Sequence, residues 1–144
     1  MRNKSIYLFL LGISFFIIFK SCQSEDQIAY ARYFVTGKNL YAQHCQNCHS
    51  EEGKGLGDLI PPLTDITYLT KNRNNIACFI KYGMSDSIVI NGKVYNEKMP
   101  AEPNLTNMEI AQLITYVTNS FGNEQGLYDV ENATSDLKDC TRIK

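Results

Sequence analysis

The sequence predicts a small all-α domain carrying one short β-hairpin, and three observations lead there. Apolar residues recur at helical spacing in three separate stretches, the most regular of them behind Thr106-Asn-Met-Glu109, a capping box. Glycines close those stretches: Gly53, Gly55 and Gly57 after the first, Gly83 after the second and Gly122 after the third. Between the second and third, Asn91-Gly92 separates two β-branched runs, which is the strongest short-range hairpin signal. A chain of 144 residues, 44% of them hydrophobic, has room for one domain with one modest core.

The elements follow in order. Thr36 to His49 reads as the first helix, with Thr36 as its cap and Leu40, Tyr41, Cys45 and Cys48 at helical spacing. The glycine-rich run after it opens a loop that reaches Pro61 and Pro62. Asn74 to Tyr82 reads as a short helix with Ile76, Phe79 and Ile80 inward, stopped by Gly83. Ile88 to Tyr95 is the hairpin. The last helix turns Ile110, Leu113, Ile114, Val117 and Phe121 to the core. Beyond Gly122 lie five acidic residues and few large apolar ones, which reads as a solvated tail or strap. There is no internal repeat.

The first residues read as a targeting segment. Arg2 and Lys4 precede an apolar run of fourteen residues, Ile6 to Phe19, and then Lys20, Ser21 and Cys22. That run is shorter than the roughly 20 residues a membrane-spanning helix needs, so it reads as the h-region of an export signal. Cys22 after the small Ser21 resembles the lipobox of bacterial lipoproteins, in which the cysteine becomes the acylated first residue. Phe19 and Lys20 depart from that pattern, and an uncleaved hydrophobic anchor is the alternative. Residues 22–32 are mostly polar and suit a tether. Removing residues 1–21 takes away three basic residues and no acidic one, leaving 11 against 15 and a formal charge of −4. Such a surface argues against nucleic acid as a partner.

The chemistry lies in His44-Cys-Gln-Asn-Cys-His49. On a helix Cys45, Cys48 and His49 stand at i, i+3 and i+4, so all three reach one flat ligand from one face. Two sulfurs at that spacing can form thioethers to the two vinyl groups of a haem while the following imidazole approaches the iron. This Cys-x-x-Cys-His pattern is read as c-type haem attachment. Zinc would need a second, separated ligand pair, which the sequence lacks, and His44 points about 100° away from Cys45 on a helix. A redox dithiol would want the pair at a helix start after a strand, and no strand precedes it.

From about Ala31 to Gly122 the chain resembles the class I, single-haem c-type cytochromes. The resemblance is carried by Gly37-Lys-Asn-Leu-Tyr41, the motif Cys45 to His49, Pro61-Pro62-Leu63, Met99-Pro100, and the capped last helix with Tyr116. It implies a cytochrome c fold of three to four helices around one covalently bound haem c. The corresponding organisation is a lipoprotein-type signal over 1–21, a tether over 22–32, the cytochrome domain over 33–122 and an acidic strap over 123–144. It further implies Met99 as the sixth ligand opposite His49, with Met84 the second candidate. The same resemblance makes the Pro61 carbonyl the acceptor for the other ring nitrogen of His49, and places Leu63 and Tyr68 in the haem wall. Gly37 would let the first helix cross closely against Tyr116. Pro61 and Pro62 as plain loop terminators, and Gly37 as ordinary turn or core, remain the alternatives.

Two cysteines are left over, Cys78 and Cys140. In an oxidising compartment they read as a disulfide pair, the alternative being Cys78 as a small buried hydrophobe. The function implied is one-electron transfer on the periplasmic side of a bacterial membrane, held there by lipid. An oxidase, a reductase or a quinol-oxidising complex would be the redox partner, and Lys54, Lys71, Arg73 and Lys98 are the basic residues available to guide docking. Two rival readings remain: a haem sensor or peroxidase-like enzyme with an open sixth site, and a fixed cytochrome subunit of a membrane respiratory complex.

Overall fold

The computed structural model describes residues 24–140. The segment expected as an export signal, Cys22 and the last four residues lie outside the described part. Six α-helices appear among the described residues: α1 (Glu25–His44), α2 (Gln46–His49), α3 (Ile66–Lys71), α4 (Ile76–Tyr82), α5 (Asn107–Val117) and α6 (Val130–Lys138). A 3₁₀ turn, Arg73–Asn75, leads into α4, and the hairpin strands are β1 (Ile88–Ile90) and β2 (Lys93–Tyr95). This exceeds the three to four helices expected, because the Cys45 break counts α2 separately, α3 is a single short helix, and the acidic strap forms α6.

Helix α1 starts earlier than Thr36. Ser24 caps it, accepting from the Gln27 amide, and Glu25 and Asp26 in the first turn complement the helix dipole. Most of the stretch expected as tether is therefore helix. Polar composition suggested a linker, but the helix it extends is already nucleated by packing further on. Tyr30 and Phe34 stack along α1, and Phe34 meets the Tyr116 ring of α5 at 5.2 Å.

The α1 and α5 crossing is the most extensive helix contact, and Gly37 sits at its centre. A Cβ there would lie 2.0 Å from the Gln112 carbonyl oxygen and 2.8 Å from the Tyr116 Cβ. Only glycine lets the two backbones meet. Tyr41, Tyr116 and Phe121 close the crossing with mutual ring contacts of 5.3 to 5.7 Å. The capping box on α5 forms as its spacing predicted, Thr106 accepting from the Glu109 amide and the Glu109 carboxylate accepting from the Thr106 amide. The apolar stripe Ile110, Leu113, Ile114 and Val117 is buried.

In the hairpin Ile88 pairs with Tyr95 and Ile90 with Lys93. Asn91 and Gly92 both take positive φ, 52° and 76°, as a tight two-residue turn requires. Ile90 and Tyr95 face inward, whereas Val89 and Val94 face solvent. Lys93 ties the hairpin to the loop after the helix motif through the Gly57 carbonyl and Asp58.

The acidic segment is a strap fastened at several points. Thr115 and Tyr128 exchange hydrogen bonds of 2.9 and 3.1 Å, and the Tyr128 hydroxyl donates to Asp136 at 2.6 Å. Arg73 donates to Gln125 and to the Leu127 carbonyl and stands 5.4 Å from the Tyr128 ring centroid. Asp129 and Asn132 cap α6 reciprocally. Cys78 and Cys140 form a disulfide spanning 62 residues, with Cα atoms 5.5 Å apart. Closing a loop of that length stabilises by about 4 kcal/mol in the chain-entropy model.

Burial raises the hydroxyl pKa of both Tyr41 and Tyr128, and at Tyr128 the bond to Asp136 adds to it. The folded protein therefore holds the protonated phenol where the unfolded chain ionises near pH 10. Stability should be full below pH 10 and fall as pH rises above it, by about 1.4 kcal/mol per pH unit for each such tyrosine. Denaturant midpoints measured from pH 9 to 11.5 check this. Tyr128→Phe should flatten the decline, and an unchanged slope in that variant would refute the assignment.

Candidate functional site: a haem cleft

Helix α1 breaks at Cys45, whose φ of −121° leaves the helical region, yet the hydrogen bonding carries through. The Cys45 amide donates to the Tyr41 carbonyl and the His49 amide to the Cys45 carbonyl, each at 2.9 Å. The i, i+4 turn between Cys45 and His49 survives the kink. Cys45 is half-buried and Cys48 exposed, and neither is in a disulfide. Burial first, then the nearby Glu102 and Cys48, push the Cys45 thiol up to about 12. A thiol held protonated does not suit a fast-exchanging dithiol, which needs thiolate. Among the described residues no three His, Cys, Asp or Glu side chains gather as a metal cluster.

The loop after the motif folds back beneath it. The Gly55 amide donates to the His49 carbonyl at 3.0 Å, Leu56 to Ile60 at 3.1 Å, and Leu63 to Gly53 at 2.7 Å. These bonds bring the Pro61 carbonyl to His49, whose Nδ1 lies 3.1 Å from it. Nδ1 carries the proton in that arrangement, so Nε2 keeps its lone pair. Burial lowers the His49 pKa, and the Pro61 carbonyl opposes this by a smaller amount. The imidazole is thus held neutral, the form that binds metal.

His49 opens onto a cleft of two adjoining lobes that share His49, Pro61, Met84, Ile88 and Met99. The inner lobe is walled by Cys45, Pro62, Leu63, Tyr68 and the apolar faces of α4, α5 and the hairpin. Cys48, Lys98, Glu97 and Pro100 line the outer lobe. Every site residue expected from the sequence within the described part thus borders this cleft, apart from the disulfide pair. The sequence reading missed Phe79, Ile88, Ile90, Leu113 and Val117 as cleft walls. The alternation Ile88-Val-Ile90 was the available signal for two of them, since a half-buried strand turns alternate residues to one side.

Met99 does not stand alone. It pairs with Met84 in a short antiparallel bridge, each amide donating to the other's carbonyl at 3.0 Å. Gly83 permits the approach: its φ is 74°, and a Cβ there would lie 2.5 Å from the Met99 carbonyl oxygen. The chain beyond Met99 is fastened on both sides. Glu102 donates its amide to Ile80 and faces His44 Nδ1 across 3.1 Å, while Lys81 reaches the Pro103 and Leu105 carbonyls. His44, which points away from Cys45, thereby pins the methionine loop to α1. Of the four basic residues named for docking, Lys98 is exposed at the cleft, whereas Arg73 is turned inward onto the strap.

The donor set fits a c-type haem: two uncommitted sulfurs, a neutral imidazole oriented through Nδ1, thioethers and an apolar slot. A family model described as Cytochrome c matches residues 34–120. No curated protein sequence matches the chain. With more than half of its length matched and the motif, the oriented histidine and the apolar cleft in one place, the chain belongs to the cytochrome c family.

Proposed function

We propose that the protein is an exported one-electron carrier whose haem is anchored through Cys45 and Cys48 and ligated axially by His49 and Met99. The observation that carries this reading is one cleft bordered both by an imidazole fixed on the Pro61 carbonyl and by Met99. A c-type haem supplies a reversible one-electron change at iron, and histidine–methionine ligation raises its potential. The polypeptide does the rest. Pro61 orients His49 and raises its basicity. Leu63, Tyr68, Ile80 and Leu113 exclude water from the inner lobe. The His44–Glu102 contact, the Lys81 bonds and the Cys78–Cys140 bridge keep the walls from moving, so that little reorganisation accompanies a change of charge.

The rest of the proposal concerns place and partners. The export signal and Cys22 put the domain on the periplasmic face of a bacterial membrane, tethered by lipid. Among the described residues no helix is long and apolar enough to cross a membrane. Partners are redox proteins that meet the cleft mouth near Lys98.

The test is the visible spectrum of the exported protein in both oxidation states, with and without carbon monoxide. A low-spin haem that survives a denaturing gel, with a far-red thioether-to-iron band when oxidised, is expected. A high-spin haem that takes up carbon monoxide readily would instead make the protein a sensor or enzyme. In the same preparation, Cys22→Ser should move the protein from the membrane to the soluble fraction, and unchanged fractionation would remove lipid from the account.

A further inference from the structure

We propose that Met84 is a reserve axial ligand, a second thioether placed to occupy the iron's sixth site when the Met99 thioether is lost. The inference rests on the haem-carrier reading above and extends it to a residue that reading leaves unused.

Three observations carry it. Met84 and Met99 exchange both of their backbone hydrogen bonds, and two residues paired this way lie with Cα atoms about 5.5 Å apart and side chains on one face. Both residues border both lobes of the cleft, as do only His49, Pro61 and Ile88 besides them among the described residues. Gly83, at positive φ and against the Met99 carbonyl, lets the bridge close. Met84 is accordingly delivered to the cleft by backbone geometry and does not depend on the Met99 side chain. Three rotatable side-chain bonds give its sulfur the reach to cover the short offset between the pair.

Among the other donors at the cleft, Asp86, Tyr95, Glu97 and Lys98 border the outer lobe alone and Tyr68 the inner lobe alone, whereas Met84 borders both, backbone-bonded to Met99.

The experiment compares holoproteins: wild type, Met84→Ala, Met99→Ala and the volume-conserving double variant Met84→Leu/Met99→Leu. Two readouts follow the thioether itself, the far-red band of the oxidised form and the upfield-shifted methionine methyl resonance of the reduced form. The expected result is that Met84→Ala keeps both signals, and that Met99→Ala keeps both at shifted positions. The double variant should lose both and take up carbon monoxide. Met99→Ser replaces the alanine variant if that one does not accumulate.

A Met99→Ala protein that loses both signals as fully as the double variant overturns the proposal, whether its haem turns high-spin or takes a nitrogen ligand from Lys98. Loss of both signals in Met84→Ala would make Met84 the primary ligand and also overturn it. Failure of the underlying reading is visible separately, as absence of the band in the wild type before any substitution is made.

Discussion

Gly37→Ala is expected to destabilise the protein by about 3 kcal/mol, the upper part of the range for overpacking a rigid contact. The added methyl carbon would fall 2.0 Å from the Gln112 carbonyl oxygen and 2.7 Å from its carbon. Those are backbone atoms of a buried helix and cannot rotate aside. The crossing must therefore open, and with it the ring contacts among Tyr41, Tyr116 and Phe121. Against a typical domain stability of about 5–15 kcal/mol this is a large fraction. Denaturant unfolding of the holoprotein measures it, with the exposed neighbour Asn39→Ala as control, expected within about 0.5 kcal/mol of wild type. A cost below about 1 kcal/mol for Gly37→Ala would mean that the helices do not cross at this point.

His49→Gln should abolish the low-spin haem while leaving it covalently attached. With the proposed anchoring through Cys45 and Cys48, haem should still run with the polypeptide on a denaturing gel. The imidazole is the group that Pro61 orients and burial keeps neutral, and glutamine offers no equivalent nitrogen. Complete conversion to a high-spin spectrum with ready carbon monoxide uptake is expected. A variant that keeps the wild-type spectrum would show that another residue holds the iron. Pro61 contributes a carbonyl, which any residue possesses, so a substitution there tests the loop's shape more than the hydrogen bond itself.

Much of the site was legible because its chemistry is local in sequence. Cys45, Cys48 and His49 lie within five residues, and helical spacing alone puts them on one side of a turn. The capping box at Thr106 and the Asn91-Gly92 turn are likewise short-range devices whose backbone demands are met within four residues. The start of α1 was less legible. Residues 25–32 are polar enough to read as a tether, and what makes them helical is a serine cap together with aromatic packing of Tyr30 and Phe34 towards Tyr116, a partner some eighty residues away. The strap was read as solvated for the same reason. Its own composition is acidic, while the groups that fasten it, Arg73, Thr115 and Cys78, belong to other elements.

The sequence by itself determined the haem motif, the helical class, the hairpin turn and the two cysteines left to pair, because each depends on residue type at fixed short spacing. Only the tertiary structure decided that Met84 stands beside Met99, that His44 grips Glu102, that Arg73 faces inward, and that α6 straps the domain. The physical reason is separation along the chain: those contacts join segments some fifteen to sixty residues apart. Local propensity carries no information about such meetings, which are settled when the α1 and α5 faces bury against each other and bring the intervening loops into register.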